Sequence, residues 1–479
     1  MPGRQTRQKS TINCTLVAPT ETLIHLPNMA FANGGPSASH VSLSADKLGE
    51  VRGAAPPDGS IQAADELLQK NHDKYHIFFR EPSFHNHLAH NVLTRLALGA
   101  SPSELQKSFD YDQVRQRAPP DRDETVIKNL EEDAYFIERI GTQSQYANFL
   151  AFFERQIELK GYRSVVYEYV LSRSQIADSL LALMYDGLYH SLIHLGLGIE
   201  FNQPSIVAEA LAQAAIHPSL DTEWFFHAAE NLAEKTGDAV NKPEKTLVEL
   251  VDKVRSNEAI RRAGLTPGII ATFKQKDLVF KGDSGEALVA LAAQWRVEPS
   301  TLERKTAEMI STCAYMAGAA QRPGKERRID FFVMHSVTSS IFLTILNRQE
   351  WIDVDTKVRL VEWKARLDLA WYATIGAPEL HIEDVEDYQG QASGDMDWST
   401  LFRTMNEFDS DDGHVAKFAR ALKNGEDVAK PFEEGPDSKA FPIKAGSWLK
   451  LARMAHDSTI GYGYGAKWVM MAGMDAAWK

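Results

Sequence analysis

The chain is poor in cysteine, in surplus positive charge and in long apolar runs, and each shortage removes a class of function. Two cysteines in 479 residues, Cys14 and Cys313, cannot build a disulfide framework or supply a thiolate-rich zinc or iron–sulfur site. They favour a reducing compartment, in which metal chemistry would rest on histidine and carboxylate. Lys and Arg number 52 against 65 Asp and Glu, a net charge of -13, so the average surface repels phosphate backbones and anionic lipid. The N-terminal MPGRQTRQKSTINCTLVAPTETLIHLP has basic residues but no continuous apolar stretch, and no run of roughly 18 apolar residues occurs anywhere. The expectation is a soluble, cytoplasmic protein with neither nucleic acid nor membrane as partner.

Several signatures of metal and nucleotide sites are missing as well. Ser191 follows His190, which excludes the H-E-x-x-H of zinc proteases, and no Glu-x-x-His pair of the di-iron type is present. Neither G-x-G-x-x-G nor a P-loop occurs; GYGYGAK lacks both the spacing and a preceding strand. HNH at 85–87 and HIE at 381–383 would fit β-barrel oxygenases only on strands, and strand-like alternation is scarce.

With 44% hydrophobic residues the chain can bury a large core. ANGGPSAS and GAAPPDGS mark residues 1–60 as an irregular arm laid over the body. From Ile61 onward, apolar residues recur at three and four. That spacing predicts an all-α fold, a large single body of about fifteen or more helices over 61–479, preceded by the extended arm. The stretch 405–445 is acidic and punctuated by Gly and Pro, and reads as loops. His414, like His40, is therefore expected in polar surroundings where it can be replaced freely.

Fifteen histidines are present, and their placement carries the chemistry. In YDGLYHSLIHLGLGIEF, Asp186, His190 and His194 share one stripe of a helix that is apolar all round. Two buried imidazoles one turn apart must be satisfied by hydrogen bonds or by a metal. FHNHLAHNVLTRLALGA holds His85, His87 and His90 at the start of an amphipathic helix, where histidines also serve as caps. RIDFFVMHSVTSSIFLTIL runs from a cap at Asp330 into an apolar helix with His335 and Thr338 one turn apart; a backbone carbonyl often satisfies such a lone histidine. In VRLVEWKARLDLAWYATIGAPEL, Leu360, Lys364, Leu367 and Trp371 share a stripe, so Lys364 stands where an apolar residue is expected. Burial would disfavour its ammonium and leave an amine able to form a carbamate, an anionic oxygen ligand. The plainer alternative is that the stem packs while the charge snorkels to water.

These four motifs, in this order and with the C-terminal GMDAAWK, resemble the questin oxidase-like family of fungal and bacterial proteins, from roughly residue 65 onward. The resemblance implies an enzyme of aromatic polyketide pathways that oxidatively opens a ring of an anthraquinone-type substrate, formally as a Baeyer–Villiger oxidation or a dioxygenation. Its partners would be a polycyclic aromatic molecule and dioxygen. The resemblance also implies a mononuclear non-haem Fe(II) held by four histidines and a carboxylated lysine, with NADPH as a candidate external reductant. Carried onto this sequence it nominates His190, His194, His335 and Lys364, with His87 as the remaining histidine and His90, then His85, as its rivals. Asp186 becomes the carboxylate that accepts from the His190 ring and fixes its tautomer. Tyr189, Phe331, Phe332, Trp363 and Trp371 are candidates for flat walls around the substrate. Two other classes use the same residues: a zinc hydrolase with a carbamylated lysine, and a helical scaffold whose histidines are structural.

Overall fold

Apolar residues spaced at three and four become helices that bury one stripe, or the whole circumference, in a common core. In the computed structural model, residues 35–81, 83–236, 245–408, 411–463 and 465–478 are described. They contain 22 α-helices and one antiparallel ribbon of two short strands, Phe78–Arg80 and Phe84–His85, the all-α body that the periodicity predicts. The arm's residues 1–34, with Cys14, lie outside the described residues. Residues 35–59 form no helix or strand. They are tied to the body where the backbone N–H groups of Ala38, Val41 and Leu43 donate to the side chains of Glu158, Gln69 and Asp65. Among the described residues no helix is long and apolar enough to cross a membrane.

Three helices are buried almost or entirely all round: His190–Glu200, Pro204–Ile216 and Phe331–Asn347. Two of them approach closely because Gly196 has no Cβ where the Phe342 ring lies. Asp330 starts the Phe331–Asn347 helix as expected, its carboxylate accepting from the backbone N–H groups of Phe332 and Val333 at 2.8 and 3.3 Å.

Two stretches fold otherwise than their sequence pattern predicts. The segment from Tyr185 to Phe201 is not one helix. Gln175–Tyr185 ends at Asp186, then Gly187, Leu188 and Tyr189 turn left-handed with φ of 59°, 59° and 61°, and a new helix opens at His190. The continuous apolar pattern hides this break, and Asp186 consequently does not share a stripe with His190. The stretch 405–445, read as loops, contains the helix His414–Ala429, which buries Val415, Phe418 and Leu422. Its acidic flanks, Asp411 and Asp412 before it and Glu426 and Asp427 near its end, mask that apolar stripe in the sequence.

Candidate metal centre

Four histidines from four segments face one another in the core. His87 caps the helix Leu88–Ala97, His190 and His414 each open a helix, and His335 lies in the second turn of Phe331–Asn347. Nε2 of His87 is 2.9 Å from Nε2 of His190, and Nε2 of His414 is 3.2 Å from Nε2 of His335. Ring centroids 4.9 Å apart for His190 and His335, and 4.6 Å for His87 and His414, close the circuit. Ligand nitrogens of His87, His190 and His414 all lie within 4.8 Å of one another.

The far side of each ring shows why a cation fits between them. Nδ1 lies 2.6 Å from the Gly187 carbonyl in His190, 2.6 Å from the Phe331 carbonyl in His335, and 2.7 Å from Asp412 Oδ1 in His414. Those oxygens only accept, so in the neutral rings Nδ1 carries the proton and Nε2 a lone pair. With both rings neutral, the lone pairs of His335 and His414 face each other, an arrangement that a metal ion or a proton between the two Nε2 atoms relieves. Two nitrogens at about 2.1 Å from one ion, subtending a right angle, stand about 3.0 Å apart, which is the scale of both facing pairs. Burial pushes the His87, His190 and His335 imidazoles well below the usual range; for His87 the charge of Lys417 adds to it. Neutral rings have no proton for a metal to displace.

Of the residues nominated from sequence, the structure brings His87, His190 and His335 into this set and leaves others out. His194, four residues and a rise of about 6 Å beyond His190, is engaged elsewhere. Its Nδ1 is 3.0 Å from His90 Nε2 and its Nε2 2.7 Å from Glu209 Oε2. Glu209 continues to His72 at 2.7 Å, and His72 to Glu154 at 3.1 Å. His90 Nε2 thus meets His194, with its Nδ1 buried and without a hydrogen-bond partner, while His85 stacks on the His190 face with centroids 3.9 Å apart. Asp186 does not orient His190; the Gly187 carbonyl does. Its carboxylate accepts from the Leu220 backbone N–H and the Thr222 hydroxyl, and burial pushes it up to about 7. Lys364 neither snorkels nor stands free: it is wholly buried and donates to both oxygens of Asp368 at 2.6 Å. An amine held in that way is not the free nucleophile that carbamate formation needs.

Two participants are new. His414, expected to be dispensable, is 2% exposed and completes the set. Lys417, three residues on and on the same helix face, is buried with no hydrogen-bond partner for Nζ. Burial pulls it down to about 8 against the opposing pull of Asp412, Asp411 and Asp112. A His and a Lys three apart among Val415, Phe418 and Leu422 are the signal that could have found both. Among the aromatic candidates, Phe331 packs edge-on to His335 and His414, joined by Trp468. Trp363 instead stacks on Phe226, and Phe332 on Trp371.

The profile of the questin oxidase-like family matches residues 84–422, a span that holds all four facing histidines and Lys417. A Baeyer–Villiger oxidase of Pestalotiopsis microspora is 50% identical over 445 residues, covering 92% of this chain and 98% of that protein. The questin oxidase of Aspergillus terreus is 47% identical over 444 residues, 92% of this chain and 97% of its own. That of Aspergillus fumigatus is 45% identical over 443 residues, 92% and 98% respectively.

Proposed function

The chain belongs to the questin oxidase-like family and is an oxidoreductase, and from that premise we propose that it opens a ring of an anthraquinone-type polyketide with dioxygen. The reaction would take place at a mononuclear non-haem Fe(II) held by His87, His190, His335 and His414. The observation that carries this reading is the convergence of four buried imidazoles whose Nε2 atoms stand 2.9 and 3.2 Å apart in facing pairs, while Nδ1 of His190, His335 and His414 turns outward to an acceptor. Imidazoles suit divalent iron.

Imidazole ligands carry no negative charge of their own to balance a dication in a low-dielectric core, and the carboxylate bonded to them, Asp412, reaches His414 through Nδ1. Lys417, buried one turn past His414 with no hydrogen-bond partner, would add an anionic oxygen as a carbamate. Its neutral amine adds to the carbon of CO2, an N–C bond forms, one proton leaves to solvent, and the carbamate presents an anionic oxygen. Bound iron would supply the single-electron access to triplet dioxygen that a closed-shell ring lacks. The protein's own part is to hold the lone pairs in place through the Gly187 carbonyl, the Phe331 carbonyl and Asp412, and to keep water out by burial. Phe331 and Trp468 offer flat apolar contacts for a polycyclic ring. A monooxygenase outcome would draw two electrons from an external reductant, with NADPH as the candidate; a dioxygenase outcome would need none.

Anaerobically purified protein should hold close to one equivalent of iron. Incubated with questin, the compound in the names of two relatives, under isotopically labelled dioxygen and with or without NADPH, it should yield a ring-opened product carrying label. Zinc as the resident metal, with product formed without dioxygen, would turn the reading to a hydrolase. A protein without metal would turn it to a scaffold.

A further inference from the structure

Behind His190, four side chains close a polar cluster in the core. Lys364 Nζ donates to both Asp368 oxygens at 2.6 Å and to the Ser336 carbonyl at 3.0 Å. The Tyr189 hydroxyl donates to Asp368 Oδ1 at 2.7 Å, and the Cys313 thiol to Oδ2 at 2.9 Å. The ammonium also lies over the Tyr189 ring, 4.6 Å from its centre. Lys364, Asp368, Tyr189 and Cys313 are all 0% exposed. An ion pair buried this deeply is no more stabilising than apolar packing of the same volume, so its value lies in what it places.

What it places is a turn that the chain does not favour by itself. Leu188 and Tyr189 follow Gly187 into the left-handed region, which residues with a Cβ enter only at a cost. The turn matters to the centre twice over: its Gly187 carbonyl takes the His190 Nδ1 proton, and its last residue, Tyr189, immediately precedes His190. We infer that Tyr189, Asp368 and Lys364 are positioning residues for the metal centre, a clamp that holds the left-handed turn and so aims the His190 imidazole. The Lys364 bond to the Ser336 carbonyl, one residue past His335, ties the second ligand helix to the same clamp. This inference rests on the reading of the centre given above.

Tyr189→Phe removes the hydroxyl and keeps the ring. Tyr185→Phe is its control, because that hydroxyl is equally buried but donates to the Leu360 carbonyl, at 2.7 Å, instead of Asp368. Metal-free protein is titrated with Co(II), and the affinity, the visible spectrum of the cobalt form and the Tm are recorded. Tyr189→Phe should bind cobalt about tenfold to hundredfold more weakly with shifted visible bands. Tyr185→Phe should lose a similar Tm yet keep wild-type affinity and spectrum. Lys364→Met should reproduce the Tyr189→Phe spectrum, and the double variant should add little to either single one. Wild-type affinity and spectrum in Tyr189→Phe, or equal losses in the two tyrosine variants, would overturn the clamp. A wild-type protein that takes up no cobalt would overturn the reading of the centre instead, so the two failures are distinguishable.

Discussion

Lys364 and Lys417 are both buried lysines on core helices, and they differ in everything except burial. Lys364 has an oxygen for each of its donors: two from Asp368 and one from Ser336. Lys417 has no hydrogen-bond partner, stands one turn past His414, and is pulled down to about 8. The first is a fixed charge that braces structure; the second is an amine close to neutrality beside a cluster of lone pairs. Helical periodicity finds a lysine in an apolar stripe, but it takes the partner to say what that lysine does.

The comparison breaks first at the metal. Replacing His190, His335 or His414 by Ala should abolish stoichiometric iron, a loss of orders of magnitude in affinity, whereas exposed His40 should be replaceable without effect. His194→Ala should keep its iron, because both ring nitrogens of His194 are spent on His90 and Glu209. Metal analysis of the purified variants decides this. Iron lost from His194→Ala and kept in His414→Ala would return the ligand set to the one that the sequence alone nominates.

The next expected effect separates the two lysines directly. Lys417→Ala should lose turnover and most of its iron, and metal loading of the wild type should rise with added bicarbonate. Lys417→Arg should fail as well, since a guanidinium keeps its charge and forms no carbamate. Lys364→Arg should take up CO2-dependent metal like the wild type, though more weakly through a distorted clamp. Iron content measured with and without bicarbonate checks both. A bicarbonate response that vanishes in Lys364→Arg and survives in Lys417→Arg would exchange the two roles.

What was legible follows from what a periodic pattern can encode. The helices, the Asp330 cap and the burial of His87, His190 and His335 are local properties and could be read. The left-handed break at Gly187–Tyr189 has one local sign, the turn-forming Asp186-Gly187 pair, which the continuous apolar pattern outweighed; the rest is not local, since His217 fills the space where a Gly187 Cβ would stand. Missing that break joined Asp186 to His190. The partner of His194 lies on another helix, although a glutamate in the apolar PSIVAEALAQAAI was a visible hint that some buried group needed a carboxylate. Asp368, four residues after Lys364, was visible too, as an i,i+4 pair.

Stability should separate the lysines with opposite sign. In metal-free protein Lys364→Met leaves the Asp368 carboxylate without its cation, and breaking a buried pair from one side costs about 3–5 kcal/mol. Lys417→Met removes a buried amine that has no hydrogen-bond partner and whose desolvation outweighs the pull of Asp412, Asp411 and Asp112, so its effect should lie within about 1 kcal/mol of zero or be a gain. Denaturant melts of the two variants give the comparison, and equal losses would show that Lys417 is paired in solution.

The smallest effect extends the comparison to histidine, since His72 is the ring that does have partners. Glu209 and Glu154 flank it at 2.7 and 3.1 Å and raise it from 6.5 to about 10 in spite of burial. The sign follows from proton counting. The folded protein keeps the His72 proton to about pH 10 where an unfolded histidine releases it near 6.5, so the stabilisation is whole below 6.5 and drains away as pH rises through 10. Glu209 runs the other way: lowered from 4.5 to about 2 by its bonds to His194 and His72, it contributes above 4.5 and loses that contribution as pH falls through 2. Wild-type Tm should therefore decline between about pH 7 and pH 10, and His72→Gln, which has no proton to lose there, should show a flatter slope across the same window. The gap between wild type and variant should narrow toward the alkaline end. A gap that stays constant with pH would mean that His72 is neutral when folded and that the two carboxylates share a different proton.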